Sequence, residues 1–373
     1  MRIDDVSAVV AETPRPSSSP SAASRPGAAR FGVLKIRTDD GVEGYGSLSA
    51  PGEGPEATAT QIMRVLKPVL LGRDPLDIGT IWSELWRRRR FFGGPVAVGS
   101  VDMALWDIAG KAAGLPVHRL LGTHRASVPT YKSDPVPGGP DAYAEDVRRW
   151  KELGWTGYKY HSRGKPSEDL VVLAAIREAA GDDLRLMLDA HAYPFGDAVR
   201  VGKAIEEMGY FWYEDPMAPE DIYGHCKLKE QVGIPILATE TTEGGLYTFA
   251  QWITAKATDA IRGDWAIKGG ITALIKAAHL AEAFNMNLEV HYGYGSLGNL
   301  ANLQVTMAIQ NCSFFEAFTF EAPGSTGLGV MNFGLTDPIT VDAEGLIHAP
   351  TRPGLGSDVD WDLIKTLGPT EIR

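Results

Sequence analysis

The sequence predicts an α/β protein: a (β/α)8-type barrel, a modified form of the TIM barrel, behind an α+β N-terminal capping domain. Three observations predict it. Acidic and imidazole side chains recur at the ends of apolar runs: Asp189 in LRLMLDAH, Glu214 in YFWYEDP, Glu240 in IPILATE, Asp264 in AIRGDW, His291 in NLEVHY and Glu316 in CSFFEAF. Their successive gaps are 25, 26, 24, 27 and 25 residues. One strand, one helix and two short loops use about that much chain. Between about 126 and 330, short apolar runs alternate with helical ones, the pattern of a parallel barrel. Residues 1 to about 125 lack that alternation and read as strands followed by helices.

The elements follow in order. MRIDDVSAVV reads as a strand, and TPRPSSSPSAASRPGAAR, rich in Pro, Ser and Ala, as a mobile loop. RFGVLKIRTD and GVEGYGSL read as strands joined by a DDG turn. Helical patterning covers Glu56 to Leu71, Asp77 to Arg89, and VGSVDMALWDIAGKAAG, which stops at Gly114 before Pro116. The eight barrel strands are VPTYKS, TGYKYH, RLMLDAH, YFWYED, PILATE, AIRGDW, LEVHY and SFFEAF, separated by helical runs such as SEDLVVLAAIREAA and ITALIKAAHLAEAF. The expected organisation is a cap over 1–125, a barrel over 126–330, and a segment over 331–373, with the hairpin-like PITVDAEGLIHAP, that packs back on the cap.

Composition sets the outer limits. A chain of 373 residues, 44% apolar and 22% charged, buries a large core. A net charge of −11 argues against nucleic acid as a partner. No run reaches the ~18 apolar residues that a membrane span needs. Cys226 and Cys312 are too few for a disulfide framework and read as reduced buried thiols. With no signal-peptide pattern at the N-terminus, the expected compartment is the cytoplasm.

An acid after a strand is often just the N-cap of the next helix. That reading weakens when Asp189, Glu214 and Glu240 end three successive strands, because a barrel gathers strand ends on one rim. Oxygen-only ligands on rigid strands suit Mg²⁺, one per site, with Mn²⁺ as a substitute. His291 lies one strand after Asp264, so an Asp–His contact across neighbouring strands would orient the ring and raise its basicity. The alternative is a satisfied core histidine. Lys159 and His161 share one face of GYKYH, so both meet the same rim and are candidate catalytic groups, the alternative for Lys159 being a solvated surface lysine. The WRRRR run at 86–90 reads as an exposed helix face.

Together these residues resemble the enolase superfamily, in its mandelate racemase-like branch, over nearly the whole chain. The segment SVDMALWDIAGKAAGLPVHRLLG is similar to that family's capping-domain hallmark. The resemblance implies metal ligands at Asp189, Glu214 and Glu240, an Asp264–His291 dyad, and Glu316 as the group that hydrogen-bonds the substrate carboxylate as it becomes an enolate, donating if protonated. It implies Lys159 as a catalytic or carboxylate-binding group. A lysine would stand at Asp264 in the muconate-lactonising branch, which is therefore disfavoured.

The departures from the family pattern are informative. The racemase-like site has Lys-x-Lys on the second barrel strand; here His161 replaces the second lysine, which weakens a racemase reading. His191 stands where the family often has Asn, either holding a substrate hydroxyl and assisting its departure or serving as an outer partner of Glu214. Ser47 replaces a family glutamate in a cap turn. Arg15, Arg25 and Arg30 are candidate contacts to a distal carboxylate or hydroxyls. The implied function is Mg²⁺-dependent dehydration of a sugar acid, an aldonate or aldarate, through a metal-stabilised enediolate to a 2-keto-3-deoxy acid. The same enolate also serves a racemase, epimerase or cycloisomerase, and a non-catalytic carbohydrate-acid-binding protein is the rival of another class. The partner is a small carboxylate, and a homo-oligomer, dimer to octamer, is expected.

Overall fold

Alternating burial makes the first strand. In Ile3–Thr13 (β1) the side chains of Ile3, Val6, Ala8 and Val10 are buried. It pairs antiparallel with Ala29–Thr38 (β2), which pairs with Glu43–Ser47 (β3). Gly41 makes the expected turn between β2 and β3 at φ +85°, which glycine adopts without steric cost. The computed structural model describes residues 1–13, 29–49, 54–91, 94–133, 135–319 and 328–373.

A helical run over 55–70 and the helices Ile78–Arg88 and Val96–Ala113 bury their apolar faces against this sheet, with Ile36, Ile62, Leu66, Ile81, Leu85, Val101 and Leu105 in one core. The long helix approaches closely because β3 presents glycine to it. A Cβ on Gly46 would lie 2.2 Å from the Ser100 carbonyl oxygen. The helix ends at Gly114, left-handed at φ +68°.

The barrel strands are Ser127–Lys132 (β4), Gly157–His161 (β5), Arg185–Asp189 (β6), Trp212–Glu214 (β7), Ile236–Ala238 (β8), Ala260–Gly263 (β9), Asn287–Val290 (β10) and Phe315–Ala317 (β11). They run parallel in the order β10-β9-β8-β7-β6-β5-β4-β11, a nearly closed barrel. At the seam between β10 and β11, the Tyr292 N–H donates to Glu316 Oε2 at 2.7 Å. Helices on the outside, Pro166–Ala180 and Phe195–Glu207 among them, pack Leu173, Ile176, Val201 and Ile205 against Leu186 and Leu188 of β6. Inside the barrel, Tyr131, Met187, Trp212, Leu237 and Phe314 form a dry floor under the rim.

Much of the tail packs on the cap: Phe333 meets Phe31, Trp361 meets Tyr45, Leu355 N donates to Asp107 Oδ1 at 2.9 Å, and Thr370–Ile372 (β13) pairs with β1. Its hairpin-like piece lies on the barrel instead, where Leu346–His348 (β12) pairs antiparallel with β4. Pro129, Val128 and Ser127 supply a free edge for β12, which the sequence pattern of the tail does not reveal. Both cysteines are free thiols, Cys312 buried and Cys226 only partly. Among the described residues no helix is long and apolar enough to cross a membrane.

Cap and barrel lock together beside β9. Gly99 lets the long cap helix rest on Trp265, whose carbonyl oxygen would lie 2.4 Å from an added Cβ. Buried Asp102 accepts from Thr272 N (2.9 Å) and Thr272 Oγ1 (2.6 Å), and Trp82 Nε1 donates to the Gly269 carbonyl (2.7 Å).

Candidate active site

Side-chain alternation on β5 sends both Lys159 and His161 into the barrel. Ladder register then sets their neighbours: His161 lies opposite Asp189 on β6, and Asp189 opposite Glu214 on β7. Glu240 follows β8, Asp264 follows β9, His291 follows β10 and Glu316 lies in β11. The rim thus brings all eight together with His191.

Asp189, Glu214 and Glu240 place one oxygen each within 4.8 Å of one another. Buried Glu214 Oε1 accepts no hydrogen bond, although the Arg262 guanidinium lies against it. Burial, then the charges of Glu240, Asp189 and Glu214, push neighbouring Asp215 well above the usual carboxylate range. An oxygen-only set with a surplus of negative charge fits a hard divalent cation.

Asp264 uses its two oxygens differently. Oδ1 caps the short helix Trp265–Lys268, accepting from Ala266 N (2.7 Å) and Ile267 N (2.9 Å). Oδ2 accepts from His291 Nδ1 at 2.9 Å. Asp264 thus caps the helix and holds the His291 ring at once. With Nδ1 protonated, neutral His291 presents the lone pair of Nε2 toward the carboxylates, 3.3 Å from Glu240 Oε1. Burial alone would lower its pKa, but Glu240, Glu316 and the Asp264 hydrogen bond overcome this and raise it to about 9.

Beneath the carboxylates lies a buried charged layer. Lys159 Nζ sits 2.7 Å from Glu316 Oε1, 3.0 Å from Glu214 Oε2 and 3.7 Å from Asp189 Oδ2. Arg262 pairs with Glu214 and Glu316 and donates to the Tyr131 hydroxyl at 3.0 Å. Burial works against both cations, and the carboxylates restore and exceed the loss. Burial would likewise raise Glu316, yet Arg262 and Lys159 hold it well below the usual carboxylate range. Glu316 is therefore an acceptor in this arrangement, and a hydrogen bond donated from it needs a proton gained against two cations.

Arg262 was not singled out from the sequence. Its signal is a cation inside the apolar run AIRGDW, two residues before Asp264 and so on the same strand face. Ser133, just past β4, was also missed; its hydroxyl donates to Glu316 Oε1 and lies 3.0 Å from His161 Nε2. Lys268, buried with its pKa lowered by that burial to about 8, donates to the Thr242 carbonyl (2.8 Å) and ties down the loop after Glu240.

His161 and His191 meet at the rim. His161 Nδ1 is 3.2 Å from His191 Nε2 and 3.4 Å from Asp189 Oδ2. Burial lowers His161 to about 3, whereas the Asp189 charge raises His191, more than half exposed, to about 9. Ser47 is buried beside Ser49 and Ser100, with Gly295 of the loop after His291 near its hydroxyl. It supports that loop from behind, and the structure does not bring it to the carboxylates. Arg15 and Arg25 lie outside the described residues. Arg30 is committed to ion pairs with Glu12 and Glu56. In the basic run, Arg88 pairs with Glu84 and Arg89 covers the Trp86 ring at 3.9 Å.

Comparison with known proteins agrees with this geometry. Residues 5–122 match the model of the mandelate racemase / muconate lactonizing enzyme N-terminal domain, and residues 142–363 match the enolase C-terminal domain-like model. An arabinonate dehydratase of Saccharolobus solfataricus is 29% identical over 344 residues, 87% of each chain. A D-galactarolactone cycloisomerase of Agrobacterium fabrum is 30% identical over 364 residues, 91% of this chain and 90% of its own. The crystal structure of a D-glucarate dehydratase from Agrobacterium tumefaciens, complexed with magnesium, superposes with a TM-score of 0.88 at 32% identity over the full length of both chains. The chain belongs to the enolase superfamily, in its mandelate racemase-like branch of sugar-acid dehydratases and cycloisomerases.

Proposed function

We propose that this enzyme dehydrates a sugar acid, an aldonate or aldarate, with His291 as the base. The observation that carries the reading is the contrast between two histidines. His291 is held by Asp264 with Nε2 turned toward the carboxylates, 3.3 Å from Glu240 Oε1, while His161, at the position of the racemase branch's second base, has both ring nitrogens engaged and its basicity suppressed by burial. One strong base on one side of the site supports elimination over two-base racemisation.

Asp189, Glu214 and Glu240 would hold Mg²⁺, which when bound supplies positive charge to the substrate carboxylate as the α-proton leaves. The remaining work falls to this chain's side chains. Lys159 adds a second buried positive charge beside the carboxylates. His291 Nε2 takes the proton from Cα. The β-hydroxyl departs as water, protonated either by His291 in a syn elimination or by His191, whose hold on a proton Asp189 strengthens and which stands open at the rim. The product is a 2-keto-3-deoxy acid. The cap closes over the rim and excludes water. A cycloisomerase reading has one specific support, the similarity to a D-galactarolactone cycloisomerase and a 3,6-anhydro-alpha-L-galactonate cycloisomerase.

The test is purified enzyme with Mg²⁺ against a library of sugar acids and their lactones, followed by semicarbazide absorbance and ¹H NMR in D₂O. The expected result is 2-keto acid formation from one or a few acids, lost with EDTA and in His291→Asn. Exchange or a changed ring without keto acid would replace the dehydratase reading by epimerisation or cycloisomerisation. A homo-oligomer and a cytoplasmic setting remain part of the proposal; sedimentation of the purified chain tests the first.

A further inference from the structure

We propose that the rim carries a second cation site, formed by His161 Nδ1, His191 Nε2 and the Asp189 carboxylate, and suited to a nitrogen-preferring transition metal such as Zn²⁺ or Co²⁺. The three donors lie 3.2 Å (His161 to His191), 3.4 Å (His161 to Asp189 Oδ2) and 3.4 Å (His191 to Asp189 Oδ1) apart. An ion bound tetrahedrally at about 2.0–2.1 Å spaces its ligands by about 3.3 Å. The triangle is already the size of one face of such a polyhedron.

The tautomer of His161 is also set for ligation. Ser133 Oγ gives its proton to Glu316 Oε1, so toward His161 Nε2 at 3.0 Å it is the acceptor. Nε2 then carries the ring proton, and Nδ1 faces Asp189 and His191 with its lone pair. Outer hydrogen bonds of this kind orient the imidazoles of protein metal sites. The backbone provides the rest. His161 and Asp189 are register partners on adjacent strands, and His191 sits two residues on at φ +55°, a turn that brings its ring back over the strand end. Its side chain is 55% exposed, which leaves an entry path and room for a water as fourth ligand.

This set differs from the carboxylate triad in chemistry. Two imidazoles favour Zn²⁺, Co²⁺ or Ni²⁺ over Mg²⁺, which prefers oxygen. Asp189 belongs to both sets, so the two ions share it when both are bound. An ion here ties up His191 and slows any turnover that uses it. The site itself does not depend on which reaction the enzyme performs.

The experiment titrates Co²⁺ into the Mg²⁺-saturated protein and follows the visible d–d bands, with total metal counted after gel filtration. The expected result is one equivalent of Co²⁺ bound in excess Mg²⁺, with the intense bands of a low-coordinate nitrogen site. His161→Asn and His191→Asn should each weaken it at least 100-fold, and Ser133→Ala by about 10–100-fold. Unchanged circular dichroism establishes that each variant is folded. Glu240→Gln, which alters only the carboxylate triad, should retain the bands. Co²⁺ that binds only by displacing Mg²⁺, or binding indifferent to the histidine substitutions, would overturn the proposal. An anomalous peak from Zn²⁺-soaked crystals gives a second reading: density between the two imidazoles supports the site, and density confined to Glu214 and Glu240 refutes it.

Discussion

Asp264 divides two roles between two oxygens, and the division makes them separable. Asparagine still accepts backbone N–H bonds at an N-cap, whereas alanine does not and costs about 1 kcal/mol. Neither can hold His291 by charge. We therefore expect Asp264→Asn to keep nearly the wild-type Tm, and Asp264→Ala to lose stability. Both should lose turnover by about 10²–10⁴-fold. The pH profile gives the direction. A base works unprotonated, so kcat/KM rises with pH through the pKa of His291. Asp264 is one of the groups holding that pKa up, so the acidic limb should move to lower pH in Asp264→Asn. A limb that stays in place in a slower enzyme would show that another group is the base.

At the level of elements, the barrel strands were legible because each ends in a polar residue after an apolar run, at a nearly constant interval. The strand ends therefore predicted the rim, and the rim predicted most of the site. What lies under the rim was less legible: Arg262 and Ser133 act through neighbours on other strands, and nothing in the chain order places Arg262 beside Glu316. The place of β12 was illegible for the same reason, since nothing in its own sequence marks the free edge of β4. The cap–barrel joint is also a tertiary feature, and it yields a stability prediction. Burial pushes Asp102 up from 3.8 to about 7 at the contact with Thr272. Between those values the folded protein holds a proton that the unfolded chain has released. Stability from this group is thus full below about pH 4, falls as pH rises to about 7, and is flat above. Asp102→Asn keeps the shape without the charge, so its Tm should exceed wild type at pH 8 and lose this part of the pH dependence. Equal Tm values for the two proteins across pH 4–8 would show that Asp102 is not strained by its burial. Gly99→Val tests the same joint sterically. The added side chain meets Trp265 and Gly270, so overpacking of about 1–3 kcal/mol is expected, with activity lost as the helix behind Asp264 shifts.

Across the whole molecule, the net charge of −11 is not spread evenly. Asp189, Glu214, Glu240, Asp264 and Glu316 converge at the barrel mouth against two permanent cations, Lys159 and Arg262. The surplus is relieved by protons: His191 and His291 are both raised to about 9, and Asp215 well above its usual range. In this arrangement the carboxylates favour a proton on His291. A divalent cation held by the triad would neutralise Glu240, which with Glu316 does most to overcome the burial of His291, and would so lower the proton affinity of the proposed base. Metal binding should therefore expel protons at neutral pH. Calorimetry of Mg²⁺ binding near pH 8, in buffers of different ionisation enthalpy, should show release of up to about one proton in the wild type and clearly less in His291→Asn. The cation should also raise Tm, by an amount set by its concentration relative to Kd, and Glu240→Gln should lose both effects. Binding without proton release, or release unaltered by His291→Asn, would mean that the cation and the base are electrostatically independent, and the coupling of cofactor to proton abstraction would have to be sought in substrate binding instead.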